Sequence, residues 1–405
     1  MRQLNSGETM PADALDPTAA MIAAIPPEEC AAVAGEPLPE GDQLTARTEN
    51  LKSGARPSSV GETVLFTSVR NEATFLIEWI AYHKVIGFER IIVFANASDD
   101  GTEALLEALA AAGEVEYYFH TPPERVSAQG NAARIAKQRR LIPDGAWTIW
   151  LDADEFLNVR VGAGMVGDLI ARLGDAQGIL INWRLFGDAG RATFGGRHIS
   201  AAFSRASLRR EMLNTQVKTL FRWGGACPGF APLSFHRPAI DPSSAGDGAM
   251  FLNGRGGPLS DDPENRTWLA GANSRSNCTV PVADRGHALA QINHYCVRSP
   301  EYFLLKRRRG SGTNRFRSAG QLRWRQTNQF YRRHNRNDVE ETSILRHEAA
   351  TTAEMARLRA LPGVATAEIE ALHRTAAMIA AIPPEEFAAL VGEPLPKAAV
   401  PRSAT

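Results

Sequence analysis

The stretch LDADEFL, Leu151 to Leu157, follows the apolar, aromatic run Trp147-Thr148-Ile149-Trp150 and ends it in three carboxylates, Asp152, Asp154 and Glu155. Burying carboxylates without partners costs several kcal/mol or more. A strand tip of this composition therefore belongs where oxygen ligands are wanted. Working outward, Val64 to Val69 reads as a buried strand. Asn71 is placed to cap a helix carrying Phe75, Leu76, Trp79, Ile80 and Ile86 near a 3.6-residue period, with Gly87 ending it. Ile91 to Phe94 is a second strand, Thr102 to Ala112 a second helix stopped by Gly113, Val115 to Phe119 a third strand, 127 to 141 a third helix and Trp147 to Leu151 a fourth strand. Alternation of this kind predicts an α/β fold with a mostly parallel sheet and helices on both faces. Ligands of such sheets bind outside the carboxyl ends of the strands, which is where Asp152, Asp154 and Glu155 fall.

The 405 residues, 44% hydrophobic and 22% charged, suit one large core or two smaller ones with appended segments. There is no run of about 18 apolar residues to span a membrane, and the N-terminal MRQLNSGETMPADALDP has no apolar signal core. The expectation is a cytoplasmic enzyme. Cysteines 30, 227, 278 and 296 form no zinc-type pair and read as small packing residues. The charge is zero overall but uneven: residues 298 to 336 hold twelve Arg or Lys against one acid, Glu301.

An Asp-x-Asp triplet alone says little, and its bland reading is a solvated turn capping the next helix. At the end of a buried strand, with neighbouring strands ending in Asn-Glu, Asn-Ala-Ser-Asp-Asp-Gly-Thr and His-Thr-Pro-Pro, it reads as a hard-cation site for Mg²⁺ or Mn²⁺ that leaves positions for phosphate oxygens. Two other nucleotide folds are excluded. The first turn is Arg70-Asn71-Glu72-Ala73, without GxGxxG, and no GxxxxGK[ST] occurs.

The segments SVRNEATFLIEWIAYHKVIGFERIIVFANASDDGT (68–102), IWLDADEFLNV (149–159), INWRLFGDAG (181–190), VKTLFRW (217–223) and INHYCVRSPEYFLLKRRRG (292–310) together resemble the family 2-like glycosyltransferases of the GT-A fold, in particular the branch related to glycosyltransferase family 92. The resemblance covers about residues 62 to 345. It implies a GT-A-like, Rossmann-type sheet with a C-terminal α-rich extension, and transfer of a sugar from a nucleotide sugar, UDP in particular, to a glycan or polysaccharide hydroxyl with inversion. Carried over by position, it implies that Asn71, Glu72 and Asp100 line the nucleoside pocket. Asp152 would meet the ribose or the metal's water shell, Asp154 would bind Mn²⁺ or Mg²⁺, and Glu155 would orient Asp154. Relatives often carry Asp where this chain has Ala95. That departure keeps open a second reading, a non-catalytic glycan- or surface-binding protein that retains the fold. A phosphohydrolase ranks below both, because Phe156 stands where a DxDxT motif needs Thr.

His236 in SFHRP and His294 in NHY are candidates for a further metal ligand; the bland reading of each is a packing histidine. Lys306 and Arg309 share a helical face and can point at a diphosphate. The general base stays open among Glu155, Asp188, Asp261 and Asp262. The last two sit in the Gly-rich stretch 241–263, which reads as a loop near the acceptor. Aromatics interleave the basic stretch, but no nucleic-acid module surrounds it, so no nucleic-acid partner is expected.

TAAMIAAIPPEECAAVAGEPLPE (18–40) returns as TAAMIAAIPPEEFAALVGEPLPK (375–397), nineteen of twenty-three positions being identical. Each copy reads as a short helix halted by the Pro pair and a second helix closed by Gly35 or Gly392. Docking or self-association is the expected use. The chain thus divides into an N-terminal flank with linker (1–61), a glycosyltransferase-like domain (62–345) and a C-terminal helical flank (346–405). The family setting adds peripheral association with an assembly system at the inner membrane face.

Overall fold

The computed structural model describes residues 61–123, 126–195, 198–231, 235–244, 250–272, 278–309 and 324–392. The N-terminal flank with its repeat copy lies outside the described residues. Strand β1 (Thr63–Val69) leads to α1 (Ala73–Val85), β2 (Arg90–Ala95) to α2 (Thr102–Ala111), and β3 (Glu116–Phe119) to α3 (Ala128–Gln138). Then come β4 (Trp147–Trp150), β5 (Glu155–Val159), α4 (Val166–Ala171), β6 (Gly178–Leu185), β7 (Val217–Arg222), β8 (Phe251–Leu252), α5 (Pro263–Leu269) and β9 (Ala290–His294). Helices α6 (Pro300–Arg309), α7 (Asn328–His334), α8 (Glu348–Arg359), α9 (Val364–Ala380) and α10 (Pro384–Val391) complete the described chain.

The nine strands form one sheet in the order β3-β2-β1-β4-β7-β6-β9-β5, with β8 beside β6. Strands β1 to β4 pair in parallel. Strand β7 then enters antiparallel between β4 and β6, and β9 joins β6 in parallel and β5 antiparallel. Alternation along the strands sends side chains to two cores. Leu65 and Val69 meet Trp79, Leu105 and the later Leu358 and Ala371 on one face, while Val64 and Phe66 meet Ala132, Ala136 and Trp150 on the other. The first four strands and three helices fall within a few residues of the sequence expectation.

One cap differs from expectation. Asn71 does not cap α1 but takes a left-handed conformation, φ 52°. The first helical amide, from Ala73, instead donates to Asp100 Oδ2 at 2.9 Å. The other oxygen of Asp100 accepts from the Thr102 amide at 2.9 Å and its hydroxyl at 2.6 Å. One carboxylate thus satisfies orphan donors at the starts of two adjacent helices.

Helix α1 also fixes the strand that follows the carboxylates. Trp79 Nε1 donates to Glu155 O at 2.9 Å and Tyr82 Oη to Leu157 O at 2.8 Å. His83 Nδ1 lies 2.8 Å from Trp79 O, and its Nε2 accepts from the Leu157 amide at 3.3 Å. These three side chains lie at helical spacings that put their polar tips on one face.

Candidate functional site

At the carboxyl ends of β1, β2 and β4, a cleft of about 380 Å³ opens. Five residues singled out from sequence line it together: Glu72, Asp152, Asp154, His294 and Lys306. The segment 152–155 is a tight turn, the Glu155 amide donating to Asp152 O at 2.9 Å, so β4 passes into β5 with its carboxylates held at the rim.

Asp152 is the more open acid: its Oδ1 accepts from Gln129 Nε2 at 3.1 Å and its Oδ2 lies 3.2 Å from Lys218 Nζ. Glu155 is fully buried, accepts from the Asp152 amide at 2.9 Å and stands 3.1 Å from the same ammonium. Burial pushes its carboxyl up to about 8 against the charge of Lys218, with Asp152 and Asp154 adding to the rise. Lys218, from the middle of β7, keeps its charge because the two acids outweigh the burial that opposes it.

Asp154 pairs with Lys306 of α6 and lies 3.7 Å from His294 Nε2 at the end of β9. Burial would raise its carboxyl, but the charge of Lys306 above all, with that of Arg298, holds it well below the usual range. Burial in turn keeps the His294 imidazole neutral near pH 7 despite Asp154, so Lys306 and Arg298 carry the compensation. Arg298, buried and left-handed at φ 51°, donates to Glu72 Oε2 at 3.0 Å and Ala153 O at 3.2 Å, and its guanidinium lies 3.7 Å from the Phe75 ring centroid. Two non-glycine residues in the left-handed region, Asn71 and Arg298, thus flank one site, as strained backbone at ligand sites tends to.

Other expected residues sit elsewhere. Asn71 faces the neighbouring loop, its Oδ1 accepting from the Asp99 amide at 2.8 Å. Ala95 is buried at the end of β2. His236 lies 5.5 Å from the Trp183 ring, with Nδ1 2.6 Å from Val217 O; it is not among the residues lining the cleft. Asp188 ties a turn to α7 and the segment after it, accepting from Tyr331 Oη at 2.6 Å, Asn335 Nδ2 at 2.7 Å, Asn337 Nδ2 at 3.1 Å and the Gly190 amide at 2.8 Å. Asp262 caps α5 through the Glu264 amide at 2.9 Å, and Asp261 is exposed on Arg266 at 2.5 Å. The side chain of Arg309 and residues 245–249 of the Gly-rich stretch lie outside the described residues.

Four cleft groups carried no assigned role in the sequence reading, Gln129, Trp183, Arg325 and His334, and neither did Lys218, which pairs with Asp152. Lys218 had a signal, a lone cation inside the apolar strand VKTLF. His334 is almost buried and stacks on Phe330 with ring centroids 3.7 Å apart. Its Nδ1 lies 2.9 Å from Phe330 O, which fixes the proton there and leaves Nε2 as acceptor. Burial pushes its imidazole down to about 4, so it is neutral at pH 7.

Among the described residues, no three His, Cys, Asp or Glu side chains cluster as a ready metal cage. A divalent ion nevertheless suits the pair Asp154 and His294: one carboxylate, one neutral imidazole whose Nε2 faces it at 3.7 Å, and a cation, Lys306, already drawn to the same spot.

Fold and cleft define an α/β protein with a cleft of acidic and basic side chains at the carboxyl ends of its strands. Residues 66–238 match the sequence profile of glycosyltransferase family 92. A glycosyltransferase family 92 protein of Ricinus communis is 30% identical over 125 residues, 31% of this chain and 22% of that protein. One of Oryza sativa subsp. japonica is 37% identical over 93 residues, 23% of this chain and 15% of that protein. The chain thus spans roughly a fifth of the length of the curated relatives it matches. Among solved structures, S. aureus TarS 1-349 aligns over 82% of this chain and 83% of that chain, with 14% identity and a TM-score of 0.29. No described helix is long and apolar enough to cross a membrane.

Proposed function

We propose that the protein is a glycosyltransferase that moves a sugar from a nucleotide donor, a UDP sugar, to a glycan hydroxyl with inversion. The observation that carries this reading is the meeting, in one cleft, of Asp152 and Asp154 from the end of β4 with Lys306 from the later half of the chain, while Lys218 and Arg298 hold the same turn from outside the cleft lining. The family profile over 66–238 supports it.

In this reading Asp152, the more exposed acid, meets the ribose, and Glu72 shapes the nucleoside side of the cleft. Lys306 exchanges Asp154 for the diphosphate, where its ammonium stabilises the charge that develops on departure. Asp154 and His294 would hold a divalent cation, which when bound would neutralise charge on the diphosphate. Glu155 does not reach substrate; it holds the turn through the Asp152 amide and shares Lys218. Of the four acids considered as base from sequence, none lines the cleft, whereas His334 does, in its basic form and with Nε2 available. With its imidazole pushed down to about 4, His334 is a weak base, so it accepts the acceptor hydroxyl proton late, once the forming bond to the anomeric carbon has made that proton acidic. The setting we propose is the cytoplasmic face of a membrane where glycans are assembled.

Calorimetric binding of UDP with and without Mn²⁺, in wild type and Asp154→Ala, tests the reading. Metal-enhanced binding that disappears in the variant is expected. Absence of UDP binding in folded wild type under both conditions would overturn the UDP assignment. Binding without transfer to any of a panel of glycans would favour the non-catalytic alternative.

A further inference from the structure

The wall of the cleft formed by α6 and α7 has a second side. Lys306 and Phe303 of α6 and Phe330, Arg333 and His334 of α7 line the cleft. On these same helices Arg308, Asn328 and Arg332 grip the C-terminal repeat copy. Arg308 donates to Ala381 O at 3.1 Å and to Glu386 Oε1 at 2.9 Å. Asn328 Nδ2 and Arg332 Nη2 donate to Ala389 O at 3.1 Å and 3.2 Å. Ile382 and Leu390 are buried beneath them as apolar anchors, with Phe387 partly so.

The N-terminal copy retains what this grip requires. At the offset of 357 residues, Ala381, Ile382, Glu386 and Ala389 correspond to Ala24, Ile25, Glu29 and Ala32, all identical. Three of the four polar contacts go to main-chain carbonyls, so they ask for the helix-Pro-Pro-helix shape and not for particular side chains. Two anchors shrink, Phe387 to Cys30 and Leu390 to Val33, and the exposed Val391 becomes Ala34. Reach is no obstacle: the twenty residues 41–60 can extend about 70 Å, against a radius of gyration near 20 Å for a domain of this size.

We propose that residues 18–40 of the same chain are an alternative occupant of the groove behind α6 and α7, competing with residues 375–392. The smaller anchors, and the unduplicated first half of α9 that fastens the C-terminal copy beside α1 and α2, make the C-terminal copy the resident and the N-terminal copy the substitute. Either occupant braces the two helices that line the cleft.

The test uses the full chain with p-benzoylphenylalanine in place of Arg332, photolysed and mapped by mass spectrometry. With native repeats, adducts should fall in 375–392. With Ile382→Asp and Leu390→Asp added, they should move to 18–40 on a band of monomer mass, and deletion of 18–40 should then remove them. The milder Leu390→Ala should give a mixture, which guards against misfolding of the double variant; circular dichroism checks both. Adducts that vanish in a folded variant without moving would overturn the proposal. Adducts at 18–40 on a band of dimer mass would overturn it in favour of exchange between chains.

Discussion

Lys218 Nζ stands 3.1 Å from Glu155 Oε2 and 3.2 Å from Asp152 Oδ2, 66 residues beyond Asp152 and 2% exposed. Lys218→Met should therefore cost about 3 kcal/mol, the low end for breaking a buried ion pair, because Glu155 can take up a proton in response. In a Glu155→Gln background the same change should cost clearly less. Urea unfolding at pH 9, where Glu155 starts out charged, measures the cycle, and equal costs in both backgrounds would show that the two residues are not coupled.

Asp100 illustrates how position in the chain and place in the fold separate. Its three hydrogen bonds start two helices, so Asp100→Ala should lower stability by about 1–2 kcal/mol. UDP affinity should change less than about twofold. A tenfold loss of affinity in a stably folded variant would put Asp100 on the nucleoside after all.

Lys306→Ala should weaken UDP binding about tenfold, the effect of one charge-assisted hydrogen bond. Uridine, which lacks the diphosphate, should bind wild type and variant alike. A parallel loss for uridine would mean that the change had deformed the cleft.

His334→Ala should lower kcat at least about a hundredfold, as removal of a general base does, while KM moves little. A rise in KM alone would reassign His334 to substrate binding.

Burial drives the His83 imidazole down to about 3, whereas in the unfolded chain it titrates near 6.5. The unfolded state takes up this proton first, so the stability His83 contributes is full above about pH 6.5 and declines as pH falls toward 3, by at most about 1.4 kcal/mol per pH unit. His83→Gln should flatten the fall in urea stability between pH 7.5 and 5 by up to one proton. An unchanged slope would count against the neutral, buried ring.

The first half of the fold was legible because its signals are local. Periodic apolar residues, Gly87 and Gly113 as stops, and the carboxylates at the end of Trp147–Trp150 each act within a few residues of chain. The antiparallel half was not. Strand β7 is inserted between β4 and β6 by pairings that span dozens of residues, and β5 lies at the far end of the sheet from β4 although only four residues separate them. Register at such range is set by packing, which a local pattern does not encode. The same limit governed the site. Asp152 and Asp154 announce themselves, but Lys218 and His334 become intelligible only when the strands and helices bearing them meet. Asp188 and Asp262 resembled catalytic acids in sequence and turned out to be committed to a turn and a helix start.

The insertion of β7 also imposes an order on biosynthesis. A growing chain that has emerged only as far as β6 carries the acidic turn of residues 152–155 but not the ammonium that Asp152 and Glu155 share, and β4 lacks its antiparallel neighbour. The early βα units can collapse, yet their acidic rim stays self-repelling and one sheet edge stays unpaired until residue 218 arrives. Pairing of the β4 edge and charge balance of Asp152 and Glu155 are therefore the same event in time, and a nascent chain stalled before it would present an open strand edge to any chaperone at hand.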